Sequence, residues 1–176
     1  VGMLAKTKAG EEVLTYSDLN FPGGFIVNYS VTDTAKAEYV ASRIEAGELA
    51  QFTYLLLPND HTNGTAPGTP SPESMVADND FAVGRVVEAV SNSPFWDKSL
   101  VIITQDDTQG CDDHVDIQRA FAILVGPWVR RNHVSHLHTS FPSIMTTINR
   151  ILGAPPMGRS DATAMPFVDC FSGTKN

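Results

Sequence analysis

The chain has 176 residues, enough for one domain with a sizeable core. Lys and Arg total 12 against 20 Asp and Glu, a net charge of −8, which argues against non-specific nucleic-acid binding and against attraction to anionic membranes. With 42% hydrophobic and 18% charged residues the chain reads as globular, and no apolar run approaches the roughly 18 residues that a membrane-spanning helix requires.

In chain order, the first 30 residues are irregular, broken by Gly10, Pro22, Gly23 and Gly24. The chain begins at Val1 with no basic-then-apolar leader, so it reads as a processed protein or as a piece of a longer one. Thr32–Leu49 is predicted to be a helix, with Thr32 as cap, Asp33 in the first turn and Ala37, Val40, Ala41 and Ile44 at helical spacing. Phe52–Leu57 (FTYLLL) reads as a buried strand. Ser71-Pro72-Glu73 is a helix start, combining a capping hydroxyl, a first-turn proline and an acid at the positive helix end. That helix is predicted to run to Ser91 and to bury Val76, Ala77, Phe81, Gly84, Val87 and Val90. Leu100–Thr104 and Ala120–Val125 read as two more buried strands. Ser140–Leu152 reads as a last helix, with Ile144, Ile148 and Ile151 on one face and Gly153 as its stop. Strands alternating with helices predict parallel βαβ units and an α/β fold in a single domain over 1–176.

The chemistry-bearing residues collect after strand ends, where open α/β sheets place their ligands. Pro58-Asn59-Asp60-His61-Thr62-Asn63-Gly64 follows the first strand. Gln105-Asp106-Asp107 follows the second and leads to Asp112-Asp113-His114. His133, His136 and His138 follow the third. Carboxylates and imidazoles together suit a divalent cation such as Zn, Mn, Fe or Mg, with Ca open to the carboxylates alone. Adjacent Asp106 and Asp107 repel unless a cation or a proton lies between them. The same residues also have plainer uses. Asp106-Asp107 can form a turn or helix cap, and Asp60-His61 can shape a loop. The alternating histidines can be an exposed strand face, and Asp78-Asn79-Asp80 a solvated helix face. Cys111 and Cys170 are open to a disulfide, to two free thiols or to metal binding. No nucleophile elbow, P-loop or dinucleotide fingerprint occurs.

Three stretches carry a family resemblance: LPNDHTNGTAPGTPSPESMVADNDFAVGRVVEAVSNSPFW from Leu57, VIITQDDTQGCDDHVDIQRAFAI from Val101, and TTINRILGAPPMGRSDATAMPFVDCF from Thr146. They resemble the C-terminal portion of the bacterial phosphoesterase family, which contains phospholipase C-like and acid-phosphatase-like enzymes of the alkaline phosphatase superfamily. The resemblance implies a three-layer α/β/α sandwich, incomplete here, that hydrolyses phosphate mono- or diesters at a divalent metal. It implies metal ligation by Asp106 and Asp107 with Asp60 and His136, and catalytic roles beside the phosphate for His61 and His114. His138 is the alternative to His136, and Asp113 is a ligand or an orienting group. Gln105 stands where relatives usually carry an acid, and Asp116-Ile117-Gln118-Arg119 departs from their DAHR. The relatives' Glu-Asn metal motif and Ser/Thr nucleophile have no counterpart in 1–51, which leaves Thr62 and Thr65 as nearby hydroxyls. An N-terminal companion segment or a homo-oligomer is therefore expected, as is a periplasmic or secreted location. The competing expectations are a non-catalytic assembly subunit and an esterase acting on carboxylic esters.

Overall fold

A computed structural model of the chain describes residues 18–24, 27–106 and 120–175, together with the backbone of 5–6 and 12–13. Two compact units emerge: Val1–Ser99 with Asp106–Ala120, and Leu100–Gln105 with Phe121–Asn176. The character is mixed helix and small sheet. Among the described residues, no helix is long and apolar enough to cross a membrane.

The first unit contains a short antiparallel ladder of β1 (Ala5–Lys6) and β2 (Glu12–Val13), followed by the helices α1 (Asp33–Glu45) and α2 (Pro72–Ser91). α1 starts at Thr32, whose Oγ1 accepts from the Ala35 N–H at 3.2 Å. It buries Asp33, Lys36, Ala37, Ala41 and Ile44, a stripe in which Lys36 and Ala37 follow Asp33 by three and four residues, Ala41 follows Ala37 by four and Ile44 follows Ala41 by three. α2 starts at Ser71, whose hydroxyl accepts from the Ser74 N–H, with Pro72 as its first residue. The two helices pack together, and Arg85 of α2 clasps Glu38 of α1 at 2.8 Å and Glu88 at 2.6 Å.

Two expectations are corrected here. The buried face of α2 carries Met75, Ala82 and Val90, whereas Val76 and Phe81 are exposed by 47% and 59%. The helix is turned because Asp78 and Asn79, read as a solvated face, point inward and hydrogen-bond there. The predicted strand Phe52–Leu57 is irregular chain, with Phe52 and Tyr54 exposed. Its apolar run has no ladder partner among the described residues, and without one the extended backbone is not a strand.

The second unit holds β3 (Val101–Thr104), β4 (Ala122–Val125), α3 (Phe141–Leu152) and α4 (Arg159–Thr163). β3 and β4 pair antiparallel, with Ile102 opposite Leu124 and Ile103 opposite Ile123. The expected parallel pairing and full burial are therefore corrected. No residue of the ladder is fully buried: all of β3 is half-buried, and Ala122 and Ile123 of β4 are exposed. Ile102 and Leu124 pack with Ile148 and Phe171 on a core of Ile144, Phe167 and Cys170, while Ile123 stays 51% exposed. α3 begins in a reciprocal capping box between Ser140 and Ser143 and stops at Gly153 in the left-handed region (φ 69°). Its buried face pairs Ile144 with Thr146, Thr147 and Asn149, whereas Ile151, expected inside, is exposed. The threonines fit inside because each is bonded: Thr147 Oγ1 donates to the Ser143 carbonyl at 2.7 Å and accepts from the Phe167 N–H at 3.1 Å.

Candidate functional site

In the first unit a single 3-10 turn, Pro58–His61, presents the Asn-Asp-His sequence. Two carboxylates from the helices hold it. Asp33, fully buried at the start of α1, accepts from the Asn59 N–H at 2.8 Å and from Asn79 Nδ2 at 3.0 Å, and its other oxygen accepts from Lys36 Nζ at 2.9 Å. Asp78 of α2 accepts from the Asp33 N–H at 2.7 Å, from Thr34 Oγ1 at 2.6 Å and from Asn59 Nδ2 at 2.7 Å. Those donors, Thr34 first, hold its carboxyl below the ordinary range against the burial that raises it. Asn79 also donates to the Leu57 carbonyl at 2.8 Å. The turn is thus built by residues far apart in sequence. It ends at Thr62, a β-branched residue at φ 61°, where the backbone conformation costs on the order of 1–3 kcal/mol. Asn59 Oδ1 is buried and accepts no hydrogen bond among the described residues.

Asp60 is exposed, yet partial desolvation of its carboxyl by the surrounding turn raises its pKa. The Asp33 and Asp106 charges push the same way, against hydrogen bonds from the backbone N–H groups of Asp60 and His61. Burial also raises the Tyr29 phenol, helped by the charges of Asp60 and Asp106. The Tyr29 ring lies against the His61 imidazole, with centroids 5.5 Å apart at 31°. His61 Nδ1 is 2.9 Å from the Thr62 carbonyl. A carbonyl only accepts, so the proton of the neutral ring sits on Nδ1 and Nε2 is the nitrogen that can accept one.

Of the residues expected at the site, Asp60, His61 and Asp106 therefore fall in one unit within electrostatic reach of Tyr29. Asp107, Asp113 and His114 lie outside the described residues, as does Cys111. His136 is exposed on the loop between β4 and α3 of the second unit, and His138 is on the same loop; that loop is irregular, not a strand face. Cys170 is a buried free thiol. Sequence reasoning missed Asn59, Asp78 and Asn79 as builders of the turn and saw in Asp33 only a first-turn acid. The available signal was two acid-amide pairs, Asp78-Asn79 and Asn59-Asp60, in the same stretch. A second group of metal-type donors, His133, Asp169 and Cys170, lies in the second unit.

A family model described as the Phosphoesterase family matches residues 26–155, well over half of the chain. The chain belongs to the Phosphoesterase family. No curated protein and no solved structure matches it significantly. In this phosphoesterase-family chain the matched stretch runs through α1, the Asn59-Asp60-His61 turn, α2, β3, β4 and α3. Asp60 and Asp106 are carboxylates of the kind a divalent cation takes, and such an ion would offset the charges of Asp33 and Asp106 that raise Asp60. Among the described residues, though, no three acidic, imidazole or thiol ligand atoms of the first unit gather within 4.8 Å of one another.

Proposed function

We propose that the chain acts as a metal-dependent phosphoesterase on phosphate mono- or diesters. One observation carries the reading: the family model covers residues 26–155, and within that stretch desolvation and the Asp33 and Asp106 charges raise the Asp60 carboxyl, a shift of the kind that clusters at functional sites. Asp60 and Asp106 would hold the metal, and the resemblance adds Asp107 to them. When bound, such an ion supplies Lewis acidity at a phosphoryl oxygen and lowers the pKa of a bound water. His61, with Nδ1 committed to Thr62, would use Nε2 to move a proton at the ester, with His114 as the second imidazole. The Tyr29 phenol, kept neutral, is a hydrogen-bond donor suited to a phosphate oxygen. The metal's identity among Zn, Mn, Fe, Mg and Ca is part of the proposal. So are the completed three-layer sandwich, the companion segment or second copy, and the periplasmic or secreted location, all of which rest on the resemblance.

The test is turnover of p-nitrophenyl phosphate and of its bis-ester with each cation added to metal-stripped protein. Metal-dependent turnover is expected, with a loss of about 10²–10⁴-fold in His61→Ala. Activity that is absent with every cation, or unchanged in Asp106→Ala, would overturn the proposal. An inactive, metal-free oligomer would support the assembly-subunit reading instead.

A further inference from the structure

In the second unit, the loop after β4 is pinned against the short 3-10 turn Val168–Cys170. Val129 and Phe171 form an isolated antiparallel bridge, the Arg130 N–H donates to the Cys170 carbonyl at 2.9 Å, and the Ser172 N–H donates to the Trp128 carbonyl at 2.8 Å. Arg130 Nε adds a bond to the Phe171 carbonyl at 3.0 Å. Asn132 then turns the chain through the left-handed region at φ 52°, a conformation Asn tolerates, and His133 comes up against Asp169. His133 Nε2 lies 3.2 Å from Asp169 Oδ2, and Cys170 Sγ lies 3.6 Å from Asp169 Oδ1. One donor atom from each of the three residues falls within 4.8 Å of the others. Ser135 Oγ donates to Asp169 Oδ1 at 3.0 Å and so orients the carboxylate, as outer partners of metal ligands do.

We propose that His133, Asp169 and Cys170 bind a divalent transition-metal ion, with zinc the best match to an imidazole, a carboxylate and a thiolate. Zinc bonds of about 2.3 Å to sulfur and 2.0–2.2 Å to nitrogen and oxygen, at tetrahedral angles, set edges of about 3.4 Å for N···O and 3.6 Å for S···O. The contacts already present, 3.2 Å to Oδ2 and 3.6 Å to Oδ1, run to the two different oxygens of Asp169. With one donor atom of each residue within 4.8 Å of the others, a modest closing-in about a single oxygen brings the set to those edges. Ca and Mg take oxygen ligands, so a thiol and an imidazole select against them. Three protein ligands leave a fourth position for water, and a cleft of about 390 Å³ lined by Leu124, Val129, Arg130 and Phe167 adjoins His133 and Cys170. On binding, the S–H bond breaks, its proton leaves to solvent, and the sulfur bonds the metal as thiolate. A nucleophilic role for Cys170 does not fit the geometry, because its thiol faces a carboxylate rather than the imidazole. Asp169 and Cys170 also lie beyond the stretch matched to the family, so this site is additional to the one proposed above.

The experiment is a Co²⁺ titration of the metal-stripped full-length chain, read by the thiolate-to-cobalt charge-transfer band in the near ultraviolet. The band is expected in the wild type and in Cys111→Ser and Asp106→Asn, is expected to vanish in Cys170→Ser, and is expected to be displaced by Zn²⁺. His133→Ala should weaken binding by about tenfold or more, a loss that even an outer-shell change can produce. Circular dichroism of each variant separates a lost ligand from a lost fold, and a Cys170→Ala variant repeats the test if the serine variant unfolds. No band in the wild type, or a band that survives in a folded Cys170 variant, overturns the proposal. In that case His133 and Asp169 are a plain hydrogen-bonded surface pair.

Discussion

Lys36 and Asp33, one helical turn apart in α1, form an ion pair almost wholly withdrawn from solvent: Nζ lies 2.9 Å from Oδ1, and the side chains are 3% and 0% exposed. Charges are tolerated there because nearly every polar atom is occupied. Lys36 also donates to the Asn28 carbonyl at 3.2 Å, and Asp33 accepts from Asn59 and Asn79. The pair thus couples the start of α1 to the Asn59-Asp60-His61 turn. Removing one partner strands the other charge. Asp33→Ala is expected to destabilise the chain by about 3–5 kcal/mol in urea denaturation, while the Asp33→Ala/Lys36→Met double variant recovers much of the loss. Equal losses in the single and double variants would show that the pair is not the source.

In the second unit Asp161 has the same organising task at the end of α3. Its Oδ2 accepts from the Met157 N–H at 2.8 Å and from Asn149 Nδ2 at 3.0 Å, and its Oδ1 accepts from the Gly158 N–H at 2.8 Å. The Met157 N–H first, then those of Gly158 and the Asn149 amide, hold its carboxyl below the ordinary 3.8, against the burial that raises it. The folded state therefore binds this proton less readily than the unfolded chain. Its contribution to stability is complete above the unfolded value of about 3.9 and is lost as pH falls through the lower folded value. Asp161→Asn turns one acceptor into an NH₂ donor facing N–H groups. The variant is expected to melt several degrees lower at neutral pH, with the gap from wild type narrowing as the pH is taken below about 4. A gap independent of pH would remove the carboxylate as its cause.

Local signals in the sequence were legible where one short stretch decides the outcome. Thr32, Ser71 and Ser140 as helix starts and Gly153 as a stop all depend on residues within one turn of each other. The failures came where a distant partner decides. Asp78 reads as surface on its own helix, because its bond to the Asp33 N–H spans 45 residues. FTYLLL reads as a strand because periodicity cannot show whether a ladder partner exists. The site shows the same division. Asp60, His61 and Asp106 stand out by residue type after strand-like runs. Asn59, Asp78 and Asn79, which hold the turn, and Asp169 and Cys170, which meet His133 from 36 residues away, become visible only in three dimensions.

Gly153 gives a clean measure of the α3 stop. Its φ of 69° lies where an L side chain is strained, and a Cβ placed there meets nothing within 4 Å. The cost of Gly153→Ala is therefore conformational alone, about 1 kcal/mol by chemical denaturation. A cost several times larger would mean that the surrounding chain closes on the position.

Asp60 joins stability to function, and the two pull in opposite directions. Without a cation its ionised carboxyl sits in a desolvating turn beside the Asp33 and Asp106 charges, an arrangement that favours the neutral form. Asp60→Asn keeps the shape and removes the charge, so the metal-stripped variant is expected to be at least as stable as the wild type. Cation binding to the folded state stabilises it by RT ln(1 + [L]/Kd), about 2.7 kcal/mol at a hundredfold excess over Kd. The wild type should therefore gain melting temperature with Mg²⁺ or Ca²⁺, hard cations that leave the thiol-containing cluster at Cys170 aside. Asp60→Asn should gain little from the same ions and lose phosphoesterase turnover with them. A variant that is stabilised by the cations as strongly as the wild type would take Asp60 out of the metal site.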